Sequence, residues 1–209
     1  MAGLFITFEG QEGAGKSTQA KLLHTHLSSL GLDVILVREP GGTAISEKIR
    51  YILKDTANAA ITKETEVLMY IAARAQLTNE VIYPYLLRGG IVICDRFTDS
   101  TIAYQGFGNK LDIDMLASMS NFATNGLKPH ICFLLKIDPT EGLARKSRIA
   151  SLDRVEQKPM SYHMAVKEGY DYLANMDKKR IKVIDAGLSE QEIHRIVCGN
   201  LSGLIPNIN

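Results

Sequence analysis

The feature that most constrains this chain is a glycine-rich turn joining an apolar run to a helical one near its start. Leu4-Phe5-Ile6-Thr7-Phe8 is almost continuously apolar. Gly10-Gln11-Glu12-Gly13-Ala14-Gly15-Lys16-Ser17 then opens a helical pattern over 16–30. The octet fits G-x-x-x-x-G-K-[ST], and strand before and helix after is the context that motif requires. Its glycines let the loop wrap with N–H groups turned inward, and those donors add to the positive end of the following helix to bind phosphate. Lys16 is placed to reach the β- and γ-phosphates of a nucleoside triphosphate, and the Ser17 hydroxyl to ligate Mg²⁺. Gly10, Gln11, Glu12, Gly13, Ala14, Gly15, Lys16, Ser17 and Thr18 are therefore the predicted triphosphate cradle.

The rest of the chain extends this unit. Leu4–Phe8, Val34–Val37, Ile91–Cys94, Ile131–Leu135 and Ile181–Ile184 read as strands, each apolar enough to be covered on both faces. Helical patterns fall at 16–30, 44–55, 62–87, 98–105, 111–124, 139–150, 159–177 and 189–202. Strand–helix alternation predicts a parallel, doubly wound α/β sheet, and the length suits one domain, 1–209. With 24 Lys+Arg against 23 Asp+Glu, general attraction to nucleic acid or anionic membrane is not expected. Cys94, Cys132 and Cys198 lack metal-ligand spacing and read as reduced thiols. There is no leader-like N-terminus and no 18-residue apolar run, so a cytoplasmic protein outside the membrane is expected.

The loop alone leaves GTPases, ATPases and kinases open. Asn109-Lys110-Leu111-Asp112 matches the guanine-reading N-K-x-D, but Tyr104-Gln105-Gly106-Phe107-Gly108 before it is no strand. Asp112 reads instead as a helix N-cap. The third strand ends at Asp95, a Walker-B-like carboxylate able to hold Mg²⁺ directly or through water. Arg96 follows it, and Arg38 ends the second strand, so two cations lie at the carboxyl edge of the sheet, where ligands of open α/β sheets bind. Arg74 shares a helix face with Tyr70, four residues earlier. A second anion site opposite the triphosphate points to phosphoryl transfer rather than simple hydrolysis. The five histidines are scattered and read as surface or supporting residues.

The motifs Phe8-Glu9-Gly10-x-Glu12-Gly-Ala-Gly-Lys-Ser, Arg38-Glu-Pro-Gly-Gly-Thr43, Tyr70-x-Ala-Ala-Arg74, Asp95-Arg96-Phe97-x-x-Ser100-x-x-Ala-Tyr104-Gln105-Gly106 and Asp153-Arg154-x-Glu156 closely resemble those of bacterial thymidylate kinases. The resemblance implies the P-loop kinase fold, with five parallel strands, helices on both faces and a short lid. It implies ATP + dTMP → ADP + dTDP with Mg²⁺, and a homodimer. By motif position, Arg96 and Arg38 would bind the dTMP phosphate, Tyr70 would stack on thymine, and Arg74 would reach the base edge. Glu12 would meet the sugar 3′-hydroxyl, and Ser100, Tyr104 and Gln105 would line the nucleoside pocket. Tyr104 would leave no room for a 2′-hydroxyl. Ser17 and Asp95 would hold the metal.

Some members carry an arginine inside the P-loop; here that position is Gly13, so the catalytic cation is expected from a lid at about 145–158. Arg148 is the first candidate, Arg145 would flank adenine, and Arg154 would pair with Glu156. The catalytic set is thus Lys16, Asp95, Arg96, Arg145 and Arg148.

Overall fold

A computed structural model of the chain describes residues 3–205 and 208. The five apolar runs form one parallel sheet: β1 Leu4–Gly10, β2 Val34–Arg38, β3 Ile91–Asp95, β4 Ile131–Lys136 and β5 Ile181–Asp185. Their order is β2-β3-β1-β4-β5. The chain leaves β1 toward one side of the sheet and later crosses to the other, so a crevice opens at the carboxyl end of β1. Registers Phe8↔Asp95 and Gly10↔Leu135 place the loop after β1 between the ends of β3 and β4.

Alternate strand residues feed opposite faces, as period-two geometry requires. Ile6, Phe8, Ile93 and Phe133 pack with Leu23 and Leu27 of α1 (Lys16–Ser29) and Val197 and Leu201 of α9 (Glu190–Leu201). Phe5, Val92 and Cys94 pack on the other face with Leu77 and Ile82, while Cys132 and Leu134 meet Tyr104, Val166 and Tyr170. Burying one such aliphatic or aromatic side chain contributes about 1.5–3 kcal/mol. The two edge strands depart from the expectation of full cover: β2 is half-buried and ends on exposed Arg38, and β5 leaves Val183 and Asp185 exposed. All three cysteines are buried and unpaired.

The remaining helices are α2 Ala44–Lys54, α3 Lys63–Leu77, α4 Tyr83–Leu87, α5 Thr98–Thr101, α6 Ile113–Thr124, α7 Pro139–Ser147 and α8 Met160–Met176. The pattern at 62–87 is not one regular helix, because α3 reaches α4 through a π turn at Thr78–Ile82. Pro84 explains it: proline lacks an N–H for the α-ladder, and the wider turn accommodates the break. A second π stretch, Ile102–Gly108, continues α5 and carries Tyr104 and Gln105. Asp112 caps α6 by accepting from Met115 N, so N-K-x-D is a helix start, as its context implied. No helix among the described residues is long and apolar enough to cross a membrane.

Candidate active site

A cleft of about 1070 Å³ lies along the carboxyl end of the sheet and is lined by the loop, both arginine-bearing strand ends, α3 and the 145–156 segment. Thr43, Thr62, Asp112, Asp138 and Ser189 each cap a helix with a side-chain oxygen. The first helix differs: Gly15 stands at its N-cap in the left-handed region and offers no side-chain acceptor. Its first-turn N–H groups are left for an anion. Lys16 Nζ folds back on Gln11 O at 2.6 Å, and Gln11 Nε2 is anchored to the carbonyl of buried His163 at 2.8 Å. Burial, then the charge of Arg96, pushes Lys16 down to about 8, against the pull of Asp95, Glu12 and Glu9. An arriving phosphate restores its charge.

Gly13 has φ of 69°, and a Cβ there would sit 2.0 Å from the carbonyl oxygen of Gly142 in α7. A side chain at position 13 would therefore collide with α7, which packs directly on the loop backbone. At the far end, the Ser17 hydroxyl donates to the Asp95 carboxylate, bringing the two expected metal-binding oxygens together.

Arg96 is the hub of a buried hydrogen-bond network beside the loop. Its φ of 74° is unusual for a non-glycine residue and turns the side chain back over β1. Nη1 donates to Gly10 O at 2.9 Å, Tyr170 OH at 3.1 Å and Ser100 Oγ at 3.2 Å. Nη2 donates to Glu12 Oε1 and Tyr104 OH, both at 3.0 Å. Burial opposes its charge, but Tyr104, Tyr170, Glu12 and Glu9 outweigh burial and hold the guanidinium firmly protonated. Glu12 is likewise kept ionised: burial pushes it up, and Arg96, Lys16 and Tyr104 bring it below the usual range.

Beneath this hub lies a carboxylate that the sequence reading quoted in a motif without assigning a role. Glu9 is fully buried and accepts from Phe97 N at 2.7 Å, Ser100 Oγ at 2.6 Å and Tyr170 OH at 2.9 Å. It thereby fixes the turn that carries Arg96. Burial and the neighbouring Asp99 raise its pKa, against Arg96 and Ser100. Tyr170, from α8, was missed because nothing local ties it to residues 70 or more positions away.

Arg74 is 2% exposed and already committed: Nε pairs with Glu39 at 2.7 Å, Nη1 donates to Thr101 Oγ1 at 2.7 Å and Nη2 to Phe97 O at 3.0 Å. It lies on the cleft wall beside Tyr70, but it also braces that wall. Glu39, from the Arg-Glu-Pro-Gly-Gly motif, was missed. Burial lifts it to about 7 despite Arg74, with Glu9 adding to the rise. Arg38 sits at the rim, paired with Glu47 at 3.1 Å, whose carboxylate also accepts from Gly42 N.

The lid segment begins inside α7, whose last turn includes Arg145. Arg145 donates to Glu141 at 2.6 Å and to Ala186 O at 2.9 Å, on the cleft side. Arg148 is exposed at the cleft rim, and its side chain makes no hydrogen bond or ion pair among the described residues. The pairing of Arg154 with Glu156 is overturned. Arg154 reaches Glu66 of α3 at 2.7 Å and Leu53 O at 2.9 Å, because the segment folds down on α2 and α3. Glu156 meets Lys146 at 3.7 Å and Asp153 N at 2.9 Å instead. Asp153 pairs with Lys54 at 2.6 Å, so the second half of the segment is docked while 147–151 stays exposed.

Residues 8–197 match the family model described as thymidylate kinase. The thymidylate kinase of Geotalea daltonii is 45% identical, covering 96% of this chain and 99% of the relative. That of Pseudomonas putida strain GB-1 is 41% identical over 98% of both chains. The crystal structure of thymidylate kinase from Ehrlichia chaffeensis superposes with a TM-score of 0.80 at 32% identity, covering 97% of this chain and 99% of that one. With its phosphate loop, its Asp-Arg-Phe turn and these full-length matches, the chain belongs to the thymidylate kinase family.

Proposed function

We propose that this protein transfers the γ-phosphate of ATP to dTMP, giving ADP and dTDP. The observation that carries the reading is the placement of Arg96, which is tied to the loop carbonyl of Gly10 and to Glu12 within the cleft that holds Lys16. One cleft thus offers an uncapped helix end with Lys16 for the donor phosphates, and a second fixed cation for the acceptor phosphate.

In this reading an oxygen of the dTMP phosphate attacks Pγ, and the bond from Pγ to the bridging oxygen of ADP breaks. The acceptor is already an anionic nucleophile, so no strong general base is needed. The chain supplies position and charge. Lys16 and the first-turn amides hold the donor, Arg96 and Arg38 hold the acceptor phosphate, and Glu12 accepts from the 3′-hydroxyl. Tyr70 stacks on the base, Arg74 and Gln105 face its edge, and Ser100 and Tyr104 close the sugar side. Arg148, unpaired at the rim, is the cation that would reach the transferred phosphoryl group when the exposed part of the lid closes; Arg145 lies beside the adenine.

Ser17 and Asp95 present two hard oxygen donors at the loop, and no group of three or more His, Cys, Asp or Glu able to hold a metal occurs among the described residues. That donor set fits Mg²⁺, which takes few protein ligands and completes its shell with phosphate oxygens and water. When bound, the ion neutralises phosphate charge and aligns the triphosphate. Asp95 and Ser17 hold it, and Asp95 keeps Ser17 oriented. We further propose a homodimer through α2, α3 and α6, which leave Tyr51, Leu68 and Phe122 exposed at 72%, 56% and 84%; sedimentation showing only a 23.0 kDa species at micromolar concentration would count against it.

The test is ADP release with dTMP, dUMP, UMP, CMP, GMP, AMP and the ribose analogue of dTMP as acceptors. dTMP should give the highest kcat/KM, and the ribose analogue should be rejected at Tyr104. Slow hydrolysis independent of the added monophosphate would make the protein a nucleotide switch instead. Equal use of the ribose analogue would refute the role given to Tyr104.

A further inference from the structure

Glu66 of α3 is 1% exposed and lies one helical turn before Tyr70, behind the wall assigned above to the acceptor base. It pairs with Arg154 at 2.7 Å and Lys158 at 3.3 Å, both reaching it from the far side of the lid. It also accepts from Gln105 Nε2 at 3.1 Å and Asn109 Nδ2 at 2.9 Å. An ionised carboxylate accepts and never donates. Burial pushes this carboxyl up, and Lys158, Arg154, Gln105 and Asn109 outweigh burial and hold it below the usual range. Asn109 has the matching polarity: its NH₂ faces Glu66 while its Oδ1 accepts from Lys158 Nζ at 3.0 Å.

The consequence falls on Gln105, whose two amide ends differ only by the partners they find. Its NH₂ is taken by Glu66, and no donor among the described residues reaches its Oε1. Gln105 is 2% exposed and lines the cleft, so with its NH₂ held by Glu66 the unpartnered Oε1 is the amide end left for a cleft ligand. The neighbouring hydroxyl, Thr101 Oγ1, already accepts from Arg74, which leaves its O–H as a donor. The wall therefore offers the donors of Arg74 and Thr101 and one neutral amide acceptor.

We propose that Glu66 is the positioning residue for base choice: by fixing the Gln105 amide with its carbonyl toward the cleft, it selects bases bearing an imide N–H, as thymine and uracil do, over cytosine, which presents a ring-nitrogen acceptor there. The inference rests on the acceptor-site reading above. A site built around one buried acceptor rejects a ligand that offers it a second acceptor, because neither finds a proton.

The experiment measures kcat and KM for dTMP, dUMP and dCMP in the parent, Glu66→Gln, Gln105→Leu and the double variant, with melting temperatures for each. In Glu66→Gln the new amide lets Gln105 turn over. The dTMP/dCMP ratio of kcat/KM should fall roughly tenfold or more, the worth of one buried hydrogen bond, through the KM for dTMP. The dTMP/dUMP ratio should hold, since both bases carry the imide. In the Gln105→Leu background the Glu66 change should move neither ratio. An unchanged dTMP/dCMP ratio in folded Glu66→Gln, or an equal fall without Gln105, would overturn the proposal. Should Glu66→Gln not fold, Glu66→Asp keeps the charge for Arg154 and Lys158 but withdraws from Gln105. It should lower the same ratio, and no change there would equally overturn it. A parent inactive on every pyrimidine nucleotide would defeat the functional reading and this inference with it, whereas an active parent with unmoved ratios defeats only the inference.

Discussion

Gly142→Ala tests whether the approach of α7 to the phosphate loop sets the catalytic geometry. A Cβ on Gly142 would meet Glu12 O at 2.3 Å and Ile137 Cγ2 at 3.1 Å. The nearer clash is with backbone, so no rotamer relieves it, and the contact must open beyond 3.0 Å. The loop is held from outside: Gln11 is tied to His163 O and Gly10 O to Arg96. The helix must move instead; it carries Arg145 and ends on Arg148 at its C-cap. Overpacking of this kind costs about 1–3 kcal/mol. Alanine's better helix propensity returns about 1 kcal/mol. Gly199→Ala isolates that gain, since nothing lies within 4 Å of its Cβ in α9. Calorimetry should place Gly142→Ala about 2–12 °C below Gly199→Ala, at 2–4 °C per kcal/mol for a chain of this size. A shift approaching 1 Å in catalytic groups can cost on the order of 10²-fold. We expect kcat to fall roughly ten- to a hundredfold by the same reasoning. Equal melting temperatures for the two variants, with kcat preserved, would refute the reasoning.

Two further outcomes are expected. Because Lys16 is pushed down to about 8, the unliganded protein loses its proton as pH rises through that value, so kcat/KM for ATP should fall about tenfold per pH unit above it. Lys16→Arg should abolish that limb in whatever activity it keeps, and a profile for the parent flat to pH 9.5 would contradict the assignment. Among lid variants, Arg148→Ala should lower kcat by roughly 10³-fold or more if it supplies the transition-state cation. Arg145→Ala should mainly raise the KM for ATP, and Arg154→Ala should mainly lower the melting temperature through its contact with Glu66. Three variants within a few-fold of the parent would reduce the segment to a solvated loop.

The strands, the helix starts and the glycine-rich turn after β1 were legible in the chain because they arise over short distances. Apolar runs make buried strands, Asp112 and Ser189 find their N–H partners three residues on, and Gly10–Ser17 bends by its own φ preferences. Folding had to choose the partners of the charges. Arg154 has Glu156 two residues away yet pairs with Glu66, and Arg74 takes Glu39 from the end of β2. Among 24 cationic and 23 acidic side chains, sequence proximity does not select a pair; burial does, because a desolvated charge goes unpaired only at great cost. The same holds for Glu9, Tyr170 and Gly142, which lie far apart along the chain and act at one cleft. Their roles depend on which β-strand ends are neighbours, and that order exists only once the sheet has closed around its core.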